Sequence, residues 1–283
     1  MNCKICNASE ADIKQNLFNL NFYLSGGEIL KSKIHKCRLC GTYFRSENFS
    51  NKRILSHFDV ASYTKPDYEN YFYKGRINFF RYLLQKTKLF IHNSDCNLLD
   101  IGCSYGHLLE VFKNANQFKV FGIEIVDRLR HNLLKKGYNV FKYIQDVPED
   151  LVFDVITCID SLYLFEEPSC LLTKISKYLK ENGILIIRVT NKTFFLNLFY
   201  FLKLQVPYSF FGDAKYSFSY CGLKKILYDS GFIIKKMFLY EKGKKESFGI
   251  KWFLYKISPI FYYLTGILIS PGILLFCKKQ TNN

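Results

Sequence analysis

Short apolar runs alternate with amphipathic segments from about residue 95 to the carboxyl terminus. The apolar runs predict strands in LLDI, KVFGIEI, YNVFKYI (138–144), VFDVITCI (152–159), GILIIRVT (183–190), FIIKKMFLYE and ILLFCKK. Apolar positions three and four residues apart predict helices in DRLRHNLLKKG, PSCLLTKISKYLKENG and GLKKILYDSG, the second of which ends at Asn182-Gly183. Strands that alternate with helices build a doubly wound, mainly parallel sheet, so the predicted fold class is α/β.

The part of the chain before residue 95 has a different pattern. The stretch FNLNFYL predicts a strand, and Ser25-Gly26-Gly27 predicts a hairpin turn after it. From Tyr71 onward, apolar residues recur at helical spacing, which predicts one or two helices packed on the core. These patterns divide the chain into a small module at 1–48, a helical connector at 49–94 and an α/β domain at 95–283, with very apolar insertions near 193–212 and 248–270.

Composition and charge restrict the class of protein. Of the 283 residues, 49% are hydrophobic, which is enough for a sizeable core and argues against global disorder. The formal charge of +16 is spread along the chain, and its densest lysine run is Lys242–Lys245, so a solvated surface explains it better than a nucleic-acid site. Polar residues and cysteines follow Met1 where an export signal would be apolar. We therefore expect a cytoplasmic protein whose ten cysteines are reduced and whose paired thiols bind metal.

Four cysteines form two identical pairs, CKIC (Cys3, Cys6) and CRLC (Cys37, Cys40). A Cys-x-x-Cys turn directs both sulfurs to one point, and two such turns complete a tetrahedral Zn²⁺ site. Asn7 and Gly41 follow the pairs, and both residue types tolerate the positive φ that such turns need. Because cysteine occupies all four positions, no position remains for a catalytic water. We predict a structural zinc in a ribbon-like module.

The stretch LLDIGCSYGHL places a glycine loop directly after a strand. A dinucleotide site has the motif G-x-G-x-x-G, but Ser104 and His107 occupy the second and third glycine positions in this chain. A triphosphate loop needs Gly-Lys-Ser/Thr, which does not follow either. The remaining motif is D-x-G-x-S-x-G, made by Asp100, Gly102, Ser104 and Gly106. A second strand ends in Glu124, 24 residues after Asp100, where a carboxylate can accept both hydroxyls of a ribose.

This pair of motifs resembles the class I S-adenosylmethionine-dependent methyltransferases. The resemblance implies a Rossmann-like sheet of seven strands whose last strand, ILLFCKK, is antiparallel. It also implies that Asp100 meets the ammonium group of the cofactor, that Gly102 lies near its methionine part and that Glu124 binds its ribose. The adenine is expected near Ile144 to Asp146. The other positions that the resemblance assigns to the cofactor are Cys103, Ser104, Gly106, Ile125 and Cys158.

The methyl acceptor is expected beyond the fourth strand, in FDVITCIDSLYLFEEP. Many relatives have a Glu-His pair four residues before a proline of this kind, but this chain has Tyr163-Leu164 before Pro168. Candidate catalytic residues are Asp160, Tyr163 and His107. Two of them have an ordinary structural explanation as well: Asp160 as a helix cap and Tyr163 as a core aromatic. His107 begins the helix after the glycine loop, where the helix dipole lowers its basicity. Methyl transfer needs positioning more than acid–base chemistry.

Three aromatic regions have two interpretations each. Tyr68 and Tyr71 fall where similar methyltransferases have a lid over the cofactor, or they are core residues. The apolar segments around 193–212 and 248–270 either pack on the sheet edge or form interfacial helices that hold a lipid-linked substrate, with Trp252 at the surface. Pro259, Gly266 and Ser270-Pro271-Gly272 interrupt the longer segment, which argues against a membrane span.

Together, the cysteine pairs and the glycine-loop domain resemble zinc-binding methyltransferases found among deoxysugar C-methyltransferases and in surface-polysaccharide pathways. We therefore predict a methyltransferase that acts on a small molecule, sugar, glycan or lipid-linked glycan, with oxygen favoured over carbon as the acceptor atom. The predicted cofactors are S-adenosylmethionine and structural Zn²⁺, and peripheral contact with the inner face of a membrane is part of the hypothesis. Two alternatives remain: an RNA methyltransferase, and a non-catalytic scaffold that binds S-adenosylmethionine.

Overall fold

The computed structural model describes residues 2–23, 29–45, 66–212, 214–238 and 250–280. The predicted hairpin turn at 25–27 and the lysine run at 242–245 lie outside the described residues. The same holds for the side chains of Tyr68, Tyr71 and Trp252.

The described residues form eleven strands and eight α-helices. In chain order the elements are β1 (Ile13–Tyr23), β2 (Ile29–Cys37), β3 (Tyr43–Arg45), α1 (Pro66–Thr87), β4 (Cys96–Ile101), α2 (His107–Lys113), β5 (Phe118–Ile123), α3 (Asp127–Lys135), β6 (Asn139–Phe141), β7 (Phe153–Ile159), α4 (Pro168–Tyr178), β8 (Leu179–Thr190), α5 (Thr193–Phe201), α6 (Tyr208–Phe211), β9 (Tyr216–Ser217), α7 (Tyr220–Asp229), β10 (Phe232–Phe238), α8 (Ile250–Thr265) and β11 (Gly272–Lys279).

Seven strands form the main sheet, in the order β10-β11-β8-β7-β4-β5-β6. The neighbours from β8 to β6 are parallel, whereas β11 is antiparallel to both β8 and β10. Successive residues of a strand enter different apolar layers: Leu98 and Val155 lie in one layer, Leu99 and Ile156 in the other. The predicted α/β fold with an antiparallel last strand is confirmed.

Two predicted boundaries are wrong, the first because a tertiary contact overrides the local pattern and the second because a local turn ends the strand. Helix α4 ends at Tyr178, four residues before the predicted stop at Asn182-Gly183. Leu179 instead pairs with Phe153 of β7 and starts strand β8. Strand β6 ends at Phe141 and not at residue 144, because residues 144–146 form a short 3₁₀ turn in which Asp146 accepts a hydrogen bond of 2.9 Å from the Tyr143 N–H.

The amino-terminal module is a second sheet, with strand order β1-β2-β3-β9. Its fourth strand, β9, comes from the larger part of the chain, between α6 and α7. The Arg45 N–H extends this pairing by donating to the Lys215 carbonyl at 3.0 Å. Gly222 at the start of α7 lies so close to the module that an added Cβ would be 2.2 Å from the Thr42 hydroxyl. The module is therefore joined to the main domain by strand pairing and close packing.

The two apolar insertions form α5, α6 and α8. The rings of Phe194 in α5 and Phe261 in α8 contact each other edge to face, with centroids 6.4 Å apart. Pro259 lies inside α8. Among the described residues, no helix combines the length and the apolar character that crossing a bilayer requires.

Candidate functional site

A cavity of about 660 Å³ opens at the carboxyl ends of β4, β5 and β7. This is the edge where open α/β sheets bind ligands, because the chain reverses direction between neighbouring crossovers there. Its lining includes residues from the glycine loop, from the ends of β4 and β5, from the segments after β6 and β7, and from the helices α1 and α6. Those residues are Arg76, Asp100, Gly102, Ser104, Glu124, Ile125, Ile144, Asp160, Tyr163 and Phe211, among others.

The glycine loop has positive φ at alternate residues: 78° at Gly102, 52° at Ser104 and 78° at Gly106. A side chain at Gly102 would also bring a Cβ to 2.9 Å from the Ser161 Cβ, and one at Gly106 to 2.5 Å from Leu133. Both glycines are thus required by backbone conformation and by packing. The backbone N–H groups of Gly102 and Cys103 donate to the Ile123 carbonyl at 2.8 and 3.0 Å, which ties the loop to the end of β5.

Glu124 is held rigidly at the end of β5. One carboxylate oxygen accepts from the Ser104 N–H and the other from the Val126 N–H, each at 2.8 Å. Burial raises the pKa of Glu124, while these backbone N–H groups act to lower it. Because a carboxylate oxygen can accept two hydrogen bonds, each oxygen keeps one acceptor position for a ligand hydroxyl. The arrangement fits a vicinal diol such as a ribose.

Asp100 lies at the end of β4, buried in the cavity wall. The Thr157 hydroxyl on the neighbouring strand β7 donates to it at 2.7 Å. Burial raises the pKa of Asp100 to about 7, and the nearby Glu124 adds to this, whereas Thr157 and Arg76 act in the opposite direction. A cationic ligand stabilises the ionised form of a buried carboxylate whose pKa is elevated, so Asp100 is suited to bind an ammonium group.

Asp160 follows β7 with φ at 55°, an uncommon conformation for a residue other than glycine. Its backbone N–H donates to the Arg188 carbonyl at 2.8 Å. One of its carboxylate oxygens accepts from the Arg188 guanidinium, and the other lies 3.0 Å from the Arg76 guanidinium. Two guanidinium groups therefore flank this carboxylate, an arrangement that fixes its position. Asp160 also joins helix α1 to strand β8 across the cavity.

Arg76 and Arg188 are site residues that were not predicted from the sequence. Arg188 could have been identified from the sequence, because a charged residue within the apolar run GILIIRVT is unusual. Arg76 lies in the middle of α1, and nothing in the local pattern KGRINFF distinguishes it from a surface arginine. Its role depends on how α1 packs over the end of the sheet.

The other two candidate catalytic residues have different surroundings. Tyr163 lies in a short 3₁₀ turn at Leu162–Leu164, half-buried in the cavity wall, and its carbonyl accepts from the Lys215 N–H at 2.9 Å. His107 is the first residue of α2 and is buried next to the rings of Tyr73 and Tyr105, at 5.0 and 5.7 Å. Burial lowers the pKa of His107, although Glu69 at 3.8 Å opposes this.

The remaining predicted cofactor residues divide into two groups. Cys103 and Ile125 lie in the cavity lining. Among the described residues, the lining does not include Gly106, Asp146 or Cys158. The Cys158 thiol lies 3.2 Å from the Ser161 hydroxyl in the core, and Gln145, next to Asp146, contacts the cavity in its place.

The four cysteines of the amino-terminal module come together, with all sulfur atoms within 4.8 Å of one another. The Cys3 and Cys40 sulfurs are 3.8 Å apart, and the Cys6 and Cys37 sulfurs 3.5 Å apart. Four sulfurs at the Zn–S distance of about 2.3 Å from one ion would be roughly 3.8 Å from each other, so the cluster has the dimensions of a tetrahedral zinc site. The predicted positive φ of Asn7 and Gly41 is confirmed at 59° and 74°.

Comparisons with known proteins agree with this geometry. A family model described as a methyltransferase domain matches residues 71–234. A ubiquinone biosynthesis O-methyltransferase of Rickettsia typhi is 26% identical over 157 residues, which are 50% of this chain and 62% of that protein. The aligned region thus spans less than two thirds of that relative.

Two solved structures have a similar fold. The magnesium protoporphyrin IX methyltransferase of Synechocystis, solved with bound S-adenosylhomocysteine, has a TM-score of 0.55 at 14% identity, covering 82% of this chain and 100% of that one. The plantazolicin methyltransferase, also solved with S-adenosylhomocysteine, has a TM-score of 0.52 at 19% identity, covering 81% of this chain and 99% of that one.

Proposed function

Because the chain belongs to the methyltransferase-domain family and has the fold of S-adenosylmethionine-dependent methyltransferases, we propose that the protein transfers a methyl group from S-adenosylmethionine to an oxygen of a small-molecule, sugar, glycan or lipid-linked glycan acceptor. One observation carries this proposal. A single cavity joins the two buried carboxylates Asp100 and Glu124 to an aromatic and apolar chamber after β7. The O-methyltransferase name of the Rickettsia relative supports oxygen as the acceptor atom.

The cofactor would occupy the half of the cavity near β4 and β5. Asp100 would bind its ammonium group, and Glu124 would accept from both ribose hydroxyls through the acceptor positions that Ser104 and Val126 leave open. Ile125 and Ile144 provide apolar walls for the adenine. When bound, S-adenosylmethionine supplies an electrophilic methyl group on a sulfonium.

The acceptor would occupy the other half of the cavity. Tyr163, Phe165 and Phe211 line it with aromatic side chains, whereas Lys192 and Glu166 add charged groups at its wall. A mixed wall of this kind supports an acceptor with both polar and apolar parts. In this proposal Asp160, held between Arg76 and Arg188, fixes the shape of the wall, and the Tyr163 hydroxyl orients the acceptor.

We assign Zn²⁺ to the cysteine cluster, with a structural role. Its four thiol ligands match the preference of zinc for sulfur in closed tetrahedral sites. Burial and the neighbouring thiols raise the pKa of Cys6 to about 12, so ionised thiols need a cation there. The ion would stabilise the small sheet by joining the turn before β1 to the turn between β2 and β3.

The proposed activity can be tested with methyl-labelled S-adenosylmethionine, purified protein and lysate from cells that lack the gene. We expect label in the small-molecule or glycan-lipid fraction, because the described residues enclose a cavity of about 660 Å³ whose mainly apolar wall carries both acidic and basic side chains. Label in RNA would instead support the alternative of an RNA methyltransferase. Absence of label from every fraction, with S-adenosylhomocysteine binding intact, would contradict the enzymatic proposal and support a scaffold.

Cofactor binding should depend on pH through Asp100. With a pKa of about 7, Asp100 is mostly protonated at pH 6 and loses its charge for the ammonium group, so affinity should rise with pH. We expect S-adenosylhomocysteine to bind roughly eightfold more tightly at pH 7.5 than at pH 6. Isothermal titration calorimetry at several pH values between 6 and 7.5 measures this change in affinity.

The matched control is Asp100→Asn, which keeps the shape and the acceptor for the Thr157 hydroxyl. This variant should bind weakly at every pH, with a much flatter profile than wild type. A variant that kept the full slope would show that another group causes the pH dependence.

A further inference from the structure

An exposed apolar surface lies on α5 and α8. In the second half of α8, the exposed side chains Ile260, Tyr263 and Leu264 follow the spacing of one helical face, and the exposed Ile267 lies two residues beyond the end of the helix at Thr265. Tyr263 is 88% exposed and Leu264 73% exposed. Phe201 and Leu202 at the end of α5 are exposed as well, Phe201 to 80%. We call these two residues, together with Ile260, Tyr263, Leu264 and Ile267, the exposed apolar surface. A helix normally turns such a face inward, so this surface is built to contact something else.

The opposite face of α8 is anchored to the protein. The ring of Tyr262 packs against Tyr220 with centroids 5.9 Å apart, and the buried Ser258 hydroxyl accepts from the Ser270 N–H at 2.9 Å. The outward direction of Tyr263 and Leu264 is therefore fixed by packing on the other side. The helix lies along the surface of the domain with its apolar face outward.

The charges on these segments are all of one sign. Residues 193–212 and 250–280 contain no aspartate or glutamate, and the lysines at 203 and 256 are exposed beside the apolar side chains. Exposed aromatic and leucine side chains next to lysines, without acids, are typical of a surface that lies on anionic lipid headgroups. The net charge of +16 adds a long-range attraction to the same partner.

The surface adjoins the mouth of the cavity through Asn191. The Asn191 amide donates to the carbonyls of Leu268 and Ser270 after α8, at 2.9 and 3.0 Å, and its oxygen accepts from the Thr193 hydroxyl at the start of α5. The flanking residues Thr190 and Lys192 line the cavity. Both helices thus start or end at the rim of the acceptor chamber.

From these observations we propose that the exposed apolar surface seats the protein on an anionic lipid bilayer and that the cavity receives a methyl acceptor carried by a lipid in that bilayer. The second part rests on the proposed function, whereas the first does not. An acceptor with a lipid anchor would reach the rim at Lys192 from the same surface on which the helices lie.

The proposal can be tested by flotation of the full-length protein with vesicles. We expect at least about tenfold tighter binding to phosphatidylcholine vesicles containing about one third phosphatidylglycerol than to phosphatidylcholine alone, and weaker binding at high salt. The triple variant Phe201→Ser, Tyr263→Ser, Leu264→Ser should bind anionic vesicles at least about tenfold more weakly than wild type. A matched control, Leu89→Ser with Tyr228→Ser, removes residues that are 61% and 65% exposed elsewhere and should bind like wild type.

Affinity for S-adenosylhomocysteine and the thermal melt should be unchanged in the triple variant, which separates surface loss from misfolding. Wild-type protein that does not bind anionic vesicles overturns the proposal, as does a triple variant that binds them as well as wild type. A triple variant that only converts a dimer to a monomer shows that the surface meets a second copy instead.

The lipid-borne acceptor is tested separately. Label from methyl-labelled S-adenosylmethionine should enter the organic extract of membranes, whereas label confined to water-soluble molecules contradicts the lipid-borne acceptor. Vesicle binding without S-adenosylhomocysteine binding would overturn the proposed function but support the role of the exposed apolar surface in binding the bilayer.

Discussion

Glu124→Ala protein is expected to bind S-adenosylhomocysteine at least about a hundredfold more weakly than wild type. The substitution removes both acceptor positions for the ribose hydroxyls. Each hydrogen bond to a charged group contributes roughly 1.5–3 kcal/mol, so losing two weakens binding by about 3–6 kcal/mol. It also leaves the N–H groups of Ser104 and Val126 without the carboxylate oxygens that now accept from them at 2.8 Å. Calorimetric titration of purified protein measures the effect.

Two further variants separate the ribose contact from the support of the glycine loop. Glu124→Gln keeps the shape but directs an NH₂ group at one of the two backbone N–H donors, so we expect an intermediate loss of affinity and a lower melting temperature. Glu149→Ala removes an exposed acid outside the cavity lining and should bind like wild type. Equal affinity in Glu124→Ala and wild type would contradict both the ribose role and the placement of the cofactor.

Much of this site follows from local patterns in the sequence. A strand that ends in Asp100 and a second that ends in Glu124 must meet at one edge, because parallel neighbours have their carboxyl ends together. The alternation of residues with positive φ from Gly102 to Gly106 is also visible in the motif. The two Cys-x-x-Cys pairs predicted their own convergence, since each pair needs the other to complete four ligands.

The parts that local patterns do not reveal depend on contacts between distant segments. Arg76 reaches Asp160 only because α1 packs across the end of the sheet, and a lone arginine in a helix carries no sign of that partner. Strand β9 has two residues, too few for a periodic pattern, and exists because β3 is there to pair with it. The pairing of Leu179 with Phe153 shortened α4 for the same reason. The position of Arg76, the existence of β9 and the end of α4 all depend on contacts between residues far apart in the sequence.

Cys40→Ser is expected to remove the metal and to release the small sheet from the main domain. Apparent zinc-binding energies of about 10–16 kcal/mol contribute to folding in small metal modules, so a lost ligand costs much of the stability of this one. The loss of stability should extend to residues 214–222, because the Ser219 hydroxyl donates to the Cys40 carbonyl and β3 pairs with β9. Elemental analysis should find about one zinc per wild-type chain and much less in the variant.

Hydrogen exchange read by mass spectrometry would show where the effect ends. We expect faster exchange at residues 29–45 and 214–222 and unchanged exchange at 96–126, because, among the described strands, those that carry Asp100 and Glu124 pair only within the main sheet. Affinity for S-adenosylhomocysteine should then change less than about threefold, while the wall around Tyr163, whose carbonyl accepts from the Lys215 N–H, loses its order. Cys221→Ser, at an exposed cysteine, is the control and should keep its zinc. A Cys40→Ser protein that loses its zinc but keeps wild-type exchange would exclude the metal as the link between the two sheets, and one that keeps full zinc would exclude Cys40 as a required ligand.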